Sequence, residues 1–412
     1  MIKPSLLFCF IVFLSLRSAA QNDGLQFYVG NALQNSPLLK DFQNQAELTK
    51  YDSMLIRASL QPQVNGTSVN SYAPVIKGFG YDAALTNGGS FTALIGVNKL
   101  IPNKKNLATQ FDNLQLQNRS LSNSSRISEQ DLKRSVGAQY ITAFGSLQQL
   151  NFNKEINFLL FKEEVILKKL TQQNVYKQTD YLAFLVTLQQ QELLVKQQDI
   201  QYKNDLFSLN YLCGLSDTTT VTLPEPEMQV KPLPGTGASV FFKQFELDSL
   251  KLVNNKRLVD AVYRPKLNVF ADAGFNSTLA DHAYRNFGTS IGASLLVPLY
   301  DGKQKRLQYN KIGVAENTRK NYRAFFLSQY HQQQAQLMQQ LGATESLIRD
   351  IDKQMVYTQR LIDVNGKLLG TGEVKITDYI LALNNYINAR NLVTQNKITR
   401  LQIINQINYW SR

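Results

Sequence analysis

Tyr263-Arg264-Pro265-Lys266-Leu267-Asn268-Val269-Phe270-Ala271-Asp272-Ala273-Gly274-Phe275-Asn276 is followed, after a polar loop, by Thr289-Ser290-Ile291-Gly292-Ala293-Ser294-Leu295-Leu296-Val297-Pro298-Leu299-Tyr300-Asp301-Gly302. In the first run Leu267, Val269, Ala271, Ala273 and Phe275 alternate with Lys266, Asn268, Phe270, Asp272, Gly274 and Asn276, the period of two that marks a strand with one apolar face. In the second run Ile291, Ala293, Leu295 and Val297 share one face; Ser290, Gly292, Ser294 and Leu296 share the other. The spacing predicts strands over about 266–276 and 289–297. One apolar face and one face of small and polar groups suit a membrane strand with lipid on one side and water on the other.

Working outward, no proline follows Pro298, so a long helix can start where the hairpin ends. A second hairpin of the same kind lies upstream, with strands over about 63–72 and 90–101. There Phe91, Ala93, Ile95 and Val97 face one way and Thr92, Gly96 and Asn98 the other. Pro62 and Pro102 bracket it as Pro265 and Pro298 bracket the later one, at strand boundaries where the missing backbone donor does no harm. Proline-free helices of about 106–174 and 303–369 follow the two hairpins, each on the order of 100 Å long. Leu337, Leu341, Ile348, Ile351, Met355, Ile362 and Leu369, and earlier Val136, Tyr140, Ala143, Leu147 and Leu150, form narrow stripes of coiled-coil spacing. Such helices need lateral partners for stability.

Each long helix ends in a turn and a second helix, about 179–213 and 377–410. Thr179-Asp180-Tyr181 recurs there as Thr377-Asp378-Tyr379, and Leu185, Leu194, Val195 and Gln197 match Leu383, Leu392, Val393 and Gln395 at the same offset. The chain thus divides into a first repeat over 21–215, a proline- and glycine-rich linker over 216–237, and a second repeat over 238–412. Each repeat runs helix, strand, strand, long helix, turn, helix. The opening helix of the first repeat is expected from Val29 to Ala58, around Pro37.

Residues 1–20 carry Lys3, an apolar run from Leu6 to Leu14 and Ser18-Ala19-Ala20, the pattern of a secretory signal peptide. Phe8 before Cys9 argues against lipoprotein cleavage. The mature chain is then expected to keep one cysteine, Cys213, and no internal disulfide. After the leader no apolar segment is long enough for a membrane helix. The net charge of +13 is scattered, so it describes a solvated surface and offers no stripe for nucleic acid.

The element order, the two proline-bracketed hairpins, the Val297-Pro298-Leu299-Tyr300-Asp301-Gly302 segment and the turn over Gly372–Asp378 together resemble the TolC family of outer-membrane efflux and secretion proteins, over about Gly24–Trp410. The resemblance implies a mainly α fold with a membrane β-barrel portion: long coiled-coil hairpins and four strands per protomer. Three protomers would then share a twelve-stranded barrel and a periplasmic helical tunnel. Four strands alone cannot close a barrel around a lumen, which independently requires several chains. It further implies location in the outer membrane of a Gram-negative bacterium, contact with outer-membrane lipid, and docking of a periplasmic adaptor and an inner-membrane RND or ABC pump. The tips carrying Thr179, Asp180, Thr377 and Asp378 would form the entrance, with Asp378 at the position of a gate aspartate. The family's second gate aspartate falls on Leu381, its gate arginine on Val374 and the tyrosine partner on Leu369, so one acidic ring is expected.

Both aspartates also suit a helix start as caps or first-turn residues. Asp272, Lys266, Asn268 and Asn98, on the polar strand faces, are candidates for the barrel lumen. No cofactor or metal is expected. The mature histidines, His282 and His331, lie apart, no serine triad or phosphate-binding glycine motif occurs, and enzymatic chemistry finds no support. The competing expectation is a secreted or periplasmic coiled-coil protein of structural or adhesive role, whose hairpins pack together in water.

Overall fold

The computed structural model describes residues 24–74, 76–80, 89–217, 219–232, 235, 237, 239–278 and 283–411; the leader over 1–20, Tyr81, Gly88 and His282 lie outside the described residues. The elements in order are α1 (Leu25–Asn35), α2 (Pro37–Ser59), β1 (Gln63–Tyr72), β2 (Gly89–Ile101), α3 (Lys104–Gln172), α4 (Gln178–Leu212), α5 (Val240–Val262), β3 (Lys266–Ser277), a 3-10 turn (Ala283–Arg285), β4 (Phe287–Leu296), α6 (Gln304–Thr371) and α7 (Ile376–Trp410). The single helix expected over Val29–Ala58 is two helices. Ser36 leaves the helical region (φ −58°, ψ 116°), because a residue before proline is driven out of it, and Pro37 then opens α2 as its first residue. The Ser36 hydroxyl accepts from the Leu39 N–H at 3.4 Å.

The chain forms two compact units, and neither coincides with a sequence repeat. One comprises residues up to Lys40, Arg126–Val240 and Leu327 onward; the other comprises Asp41–Ser125 and Phe241–Phe326. Both draw on both halves of the chain, because the long helices of the two repeats bury their stripes against one another.

In the first unit the stripes are the core. Val136, Tyr140, Ala143, Leu147 and Leu150 are buried with Tyr202, Leu206 and Leu209 of α4. A second cluster joins four helices: Phe152, Ile156, Leu160 and Leu167 of α3, Phe184 and Leu188 of α4, Ile362 and Leu369 of α6, and Ile376, Tyr379 and Leu383 of α7. The segment after α4, linker-like by composition, is held against this unit. Leu223 is buried, the Tyr140 hydroxyl donates to the Pro224 carbonyl at 2.8 Å, and the Tyr202 hydroxyl donates to the Val221 carbonyl. Cys213 ends α4 fully buried, and burial pushes its thiol up to about 11, which leaves it an inert core group.

The second unit contains one four-stranded antiparallel sheet, ordered β1-β2-β3-β4. Beside it, α3 and α5 are joined by polar contacts. Asn123 donates to Gln244 at 3.1 Å, Lys251 to the Ser120 hydroxyl at 2.6 Å, and Asn254 to the Thr109 carbonyl at 3.2 Å. An aromatic contact joins α5 to α6, with Phe242 and Phe326 centroids 5.2 Å apart. Where α5 gives way to β3, Asp260 accepts from Lys305 at 2.9 Å and from the Tyr309 hydroxyl. These donors hold its carboxyl below the usual range.

Candidate functional site

The sheet register decides which strand residues share a face. Asp272 lies opposite Gly96 and Ser290, Asn98 opposite Gln63 and Phe270, Asn268 opposite Leu100 and Ser294, and Lys266 opposite Leu296. Cross-strand partners point the same way, so Asp272, Asn98, Asn268 and Lys266 all occupy one face. The Asp272 carboxylate accepts from the Ser290 hydroxyl at 2.7 Å. The same face carries Gly292, over which the Phe270 ring lies so closely that a Cβ would come within 2.5 Å of it. The opposite face carries Val64, Ile95, Val97, Val269, Ile291 and Leu295, and Ile95, Ile291 and Leu295 are each more than 60 % exposed. Among the described residues, β1 and β4 each leave one edge without a strand partner.

The two hairpin tips lie in the other unit and share one backbone construction. At the end of α3, Asn174 adopts φ 59°, the Val175 N–H donates to the Leu170 carbonyl at 3.0 Å, and the Asn174 N–H donates to the Thr171 carbonyl at 3.0 Å. At the end of α6, Gly372 adopts φ 80°, with Glu373 donating to Leu368 at 3.0 Å and Gly372 to Leu369 at 3.2 Å. This pair of bonds around a left-handed residue is the Schellman motif. After it, Lys177 and Lys375 stand at the N-caps of α4 and α7 in extended conformation, and neither makes a side-chain cap bond.

Asp180 and Asp378 are therefore not caps. Each is the third residue of its helix, with its own N–H bonded at 3.1 Å to the carbonyl of the capping lysine. Their carboxylates sit in the first turn, where the helix dipole favours them. Asp378, Thr377 and Thr179 are exposed, and Asp180 is half-buried.

A residue that sequence reasoning missed joins the two tips. The Tyr176 hydroxyl lies 2.8 Å from the carbonyl oxygens of both Leu369 and Val374, a shared donation from the first tip to the second. Leu369 is fully buried, and neither side chain can form an ion pair; their backbone oxygens take the bond instead. Val175 closes the same contact, 2.7 Å from where a Cβ on Gly372 would stand. The sequence held a signal: Tyr176 and Val374 are equivalent positions of the repeat, and the tyrosine stands where the copies differ.

The tyrosines that follow the aspartates also differ. The Tyr181 hydroxyl donates to the Glu164 carboxylate at 2.5 Å, and this bond, with burial, pushes its pKa up to about 12. Tyr379 is fully buried and its hydroxyl has no partner; burial, and then the charge of Glu163, raise its pKa. Burial likewise raises the pKa of Glu163.

Against solved structures, the chain matches a membrane protein of Pseudomonas aeruginosa at TM-score 0.75 and 13 % identity, over 94 % of this chain and 90 % of the other. The match to the channel protein CusC has a TM-score of 0.74 and 12 % identity, over 96 % and 95 % of the two chains. The outer-membrane protein VceC of Vibrio cholerae matches at 0.72 and 12 %, over 94 % and 96 %. The fold is that of TolC-like channel proteins. At these identities the likeness is one of fold. The TolC-like architecture gives the strand face and the tips their context without assigning their roles. No family model and no curated relative matches the sequence.

Proposed function

We propose that this chain is the outer-membrane exit duct of a tripartite efflux or type I secretion system, through which small molecules or polypeptides pass passively from an inner-membrane pump to the exterior. The observation that carries the reading is the sheet. One face is apolar and exposed, the other bears Asp272, Asn98, Asn268 and Lys266, and among the described residues both edges lack partners. Such a surface is unfavourable in water, and in lipid its edges require other strands. Three copies closing a barrel of twelve strands answer both demands: apolar face to lipid, polar face to a wet lumen. The likeness to CusC and VceC supports this arrangement.

In this reading the tips form the periplasmic entrance and the docking region for an adaptor, which links the duct to an RND or ABC pump that supplies the energy. Asp378, exposed in the first turn of α7, would appear three times around the axis. It gives the entrance a ring that attracts cations. The duct itself has no catalytic step. The exposed apolar face weighs against the alternative of a coiled-coil adhesin folded in water.

Two measurements test the proposal. Salt or carbonate should leave the protein in the envelope fraction and detergent should release it; release without detergent would sink the barrel reading. In planar bilayers the purified protein should conduct, and Asp378→Asn should weaken block by polyvalent cations. Unchanged block would leave Asp378 as a first-turn residue alone.

A further inference from the structure

The helices of the sheet-bearing unit stand in the same order as its strands. α2 packs on α3, where the Asn118 amide donates to the Ala46 carbonyl at 3.5 Å and the Arg57 guanidinium lies 5.6 Å from the centre of the Phe111 ring. α3 meets α5 through Asn123, Lys251 and Asn254. α5 meets α6 through Phe242 and Phe326, and through Arg319, which donates to the Phe245 carbonyl at 3.2 Å. Since α2 leads into β1 and α6 leaves β4, the two outer helices belong to the two outer strands.

Each outer helix carries an apolar row on the side turned away from its neighbour. On α2 the contact side holds the buried Thr49 and the half-buried Ala46 and Ser53; Leu48, Tyr51 and Leu55 lie opposite, each more than half exposed. On α6 the contact side holds the half-buried Tyr309, Ile312 and Arg319, and Leu307 and Val314, again more than half exposed, lie opposite. Leu48 and Leu55 stand a heptad apart, and so do Leu307 and Val314. α2 runs toward the sheet and α6 away from it, and Leu55 and Leu307 each sit one turn from the helix end nearest the sheet. Two such rows mate antiparallel, Leu55 against Leu307 and Leu48 against Val314.

Within one copy the rows are kept apart by α3 and α5. They meet only between copies, where β4 of one pairs with β1 of the next. We propose that α2 of one copy seats on α6 of the next, and that this helix seam sets the register in which β4 and β1 pair between copies. The seam rests on the shared barrel proposed above, and it meets a need of that barrel. β1 is exposed along its whole length, and its two valines, Val64 and Val69, point to opposite faces. Such a strand specifies its own register weakly. A slip of two residues at the strands, about 7 Å, differs from the heptad step of about 10.5 Å, so helices carried along with their strands would lose both leucine contacts.

The test uses the full-length protein in isolated envelopes. Leu55→Cys combined with Leu307→Cys should, on oxidation, give covalent dimers and trimers on a non-reducing gel; Cys213 is buried and stays in place. Leu48→Cys combined with Leu307→Cys is about 10.5 Å out of step, beyond the reach of a disulfide, and should stay monomeric on the same gel. Native electrophoresis of the detergent-extracted parent reads assembly separately. A monomer there overturns the shared barrel and the seam together; a trimer whose positions 55 and 307 do not crosslink overturns the seam alone, as does equal crosslinking of the 48 and 307 pair. For the register, Leu55→Glu and Leu307→Lys each change an exposed side chain of the single copy, so each variant should fold. Each alone should lower the trimer fraction about tenfold by placing an unpaired charge in the seam, and the two together should restore most of it. Val69→Thr in β1 should assemble as the parent does. A trimer fraction unmoved by Leu55→Glu, not restored by the pair, or lowered as far by Val69→Thr overturns the register role.

Discussion

The first and second hairpin tips are one backbone carrying two different sets of side chains. Both turn through a Schellman motif, both cap the following helix with an extended lysine, and both place an aspartate in its first turn. Beyond that they part. The left-handed position is Asn174 in one and Gly372 in the other; the next residue but one is Tyr176 in one and Val374 in the other. The residue that opens the second helix is the exposed Gln178 in one and the buried Ile376 in the other. The tyrosine after the aspartate is bonded to Glu164 in the first tip and buried without a partner in the second. Duplication conserved the turn, whose hydrogen bonds depend on backbone angles, while the side chains diverged into complementary parts. The first tip donates through Tyr176, and the second accepts through the Leu369 and Val374 carbonyls.

The largest difference between the tips is expected at the left-handed position. Gly372→Val forces a β-branched residue to positive φ and drives its Cβ toward Val175, so it should destabilise by about 2–3 kcal/mol. Asn174→Gly, at the equivalent position, should change the unfolding midpoint little, as read by thermal unfolding in detergent. The tyrosine pair comes next. Tyr181→Phe removes a bond to a carboxylate and should cost about 1.5 kcal/mol, whereas Tyr379→Phe deletes a buried hydroxyl that has no partner and should be neutral or stabilising. Equal losses at the two sites would erase the distinction drawn between them. Tyr176→Phe should cost about 1 kcal/mol. Its effect should also be local, with faster amide exchange at Glu373, whose bond belongs to the contacted turn. The smallest effect belongs to the aspartates: Asp180→Asn and Asp378→Asn should each cost about 0.3–0.5 kcal/mol through the helix dipole, fading with added salt.

Much of the fold was legible because its signals are periodic. Strand alternation about Leu267–Phe275, the apolar stripe from Leu337 to Leu369 and the recurrence of Thr-Asp-Tyr are all patterns that a chain carries without its neighbours. Boundaries set by a single residue were less so: Pro37 was visible, yet whether it interrupts a helix or begins one depends on the conformation of Ser36. The compact units were not legible, because the helices of one repeat bury their stripes against those of the other.

At the candidate site, the grouping of Asp272, Asn98, Asn268 and Lys266 on one face followed from alternation, and the register brought them together. The capping role open to Asp180 and Asp378 failed by a small shift, since a cap is defined by where helical angles begin and here lysines occupy that place. Tyr176 was missed because its partners are carbonyl oxygens, which every residue possesses and no sequence advertises.

The unpaired edges of β1 and β4 have a consequence for how such a protein is made. Among the described residues the sheet presents two rows of free backbone groups, each a template for any strand that meets it. Its fate therefore depends on whom it encounters first, a sister chain or a stranger. If three copies close the barrel as proposed, a defective copy that keeps one edge and blocks the other, for instance with proline placed in β1, would be accepted into an assembly it could not complete. Such a variant should act as a poison in cells that also make the normal chain, spoiling far more product than its own share.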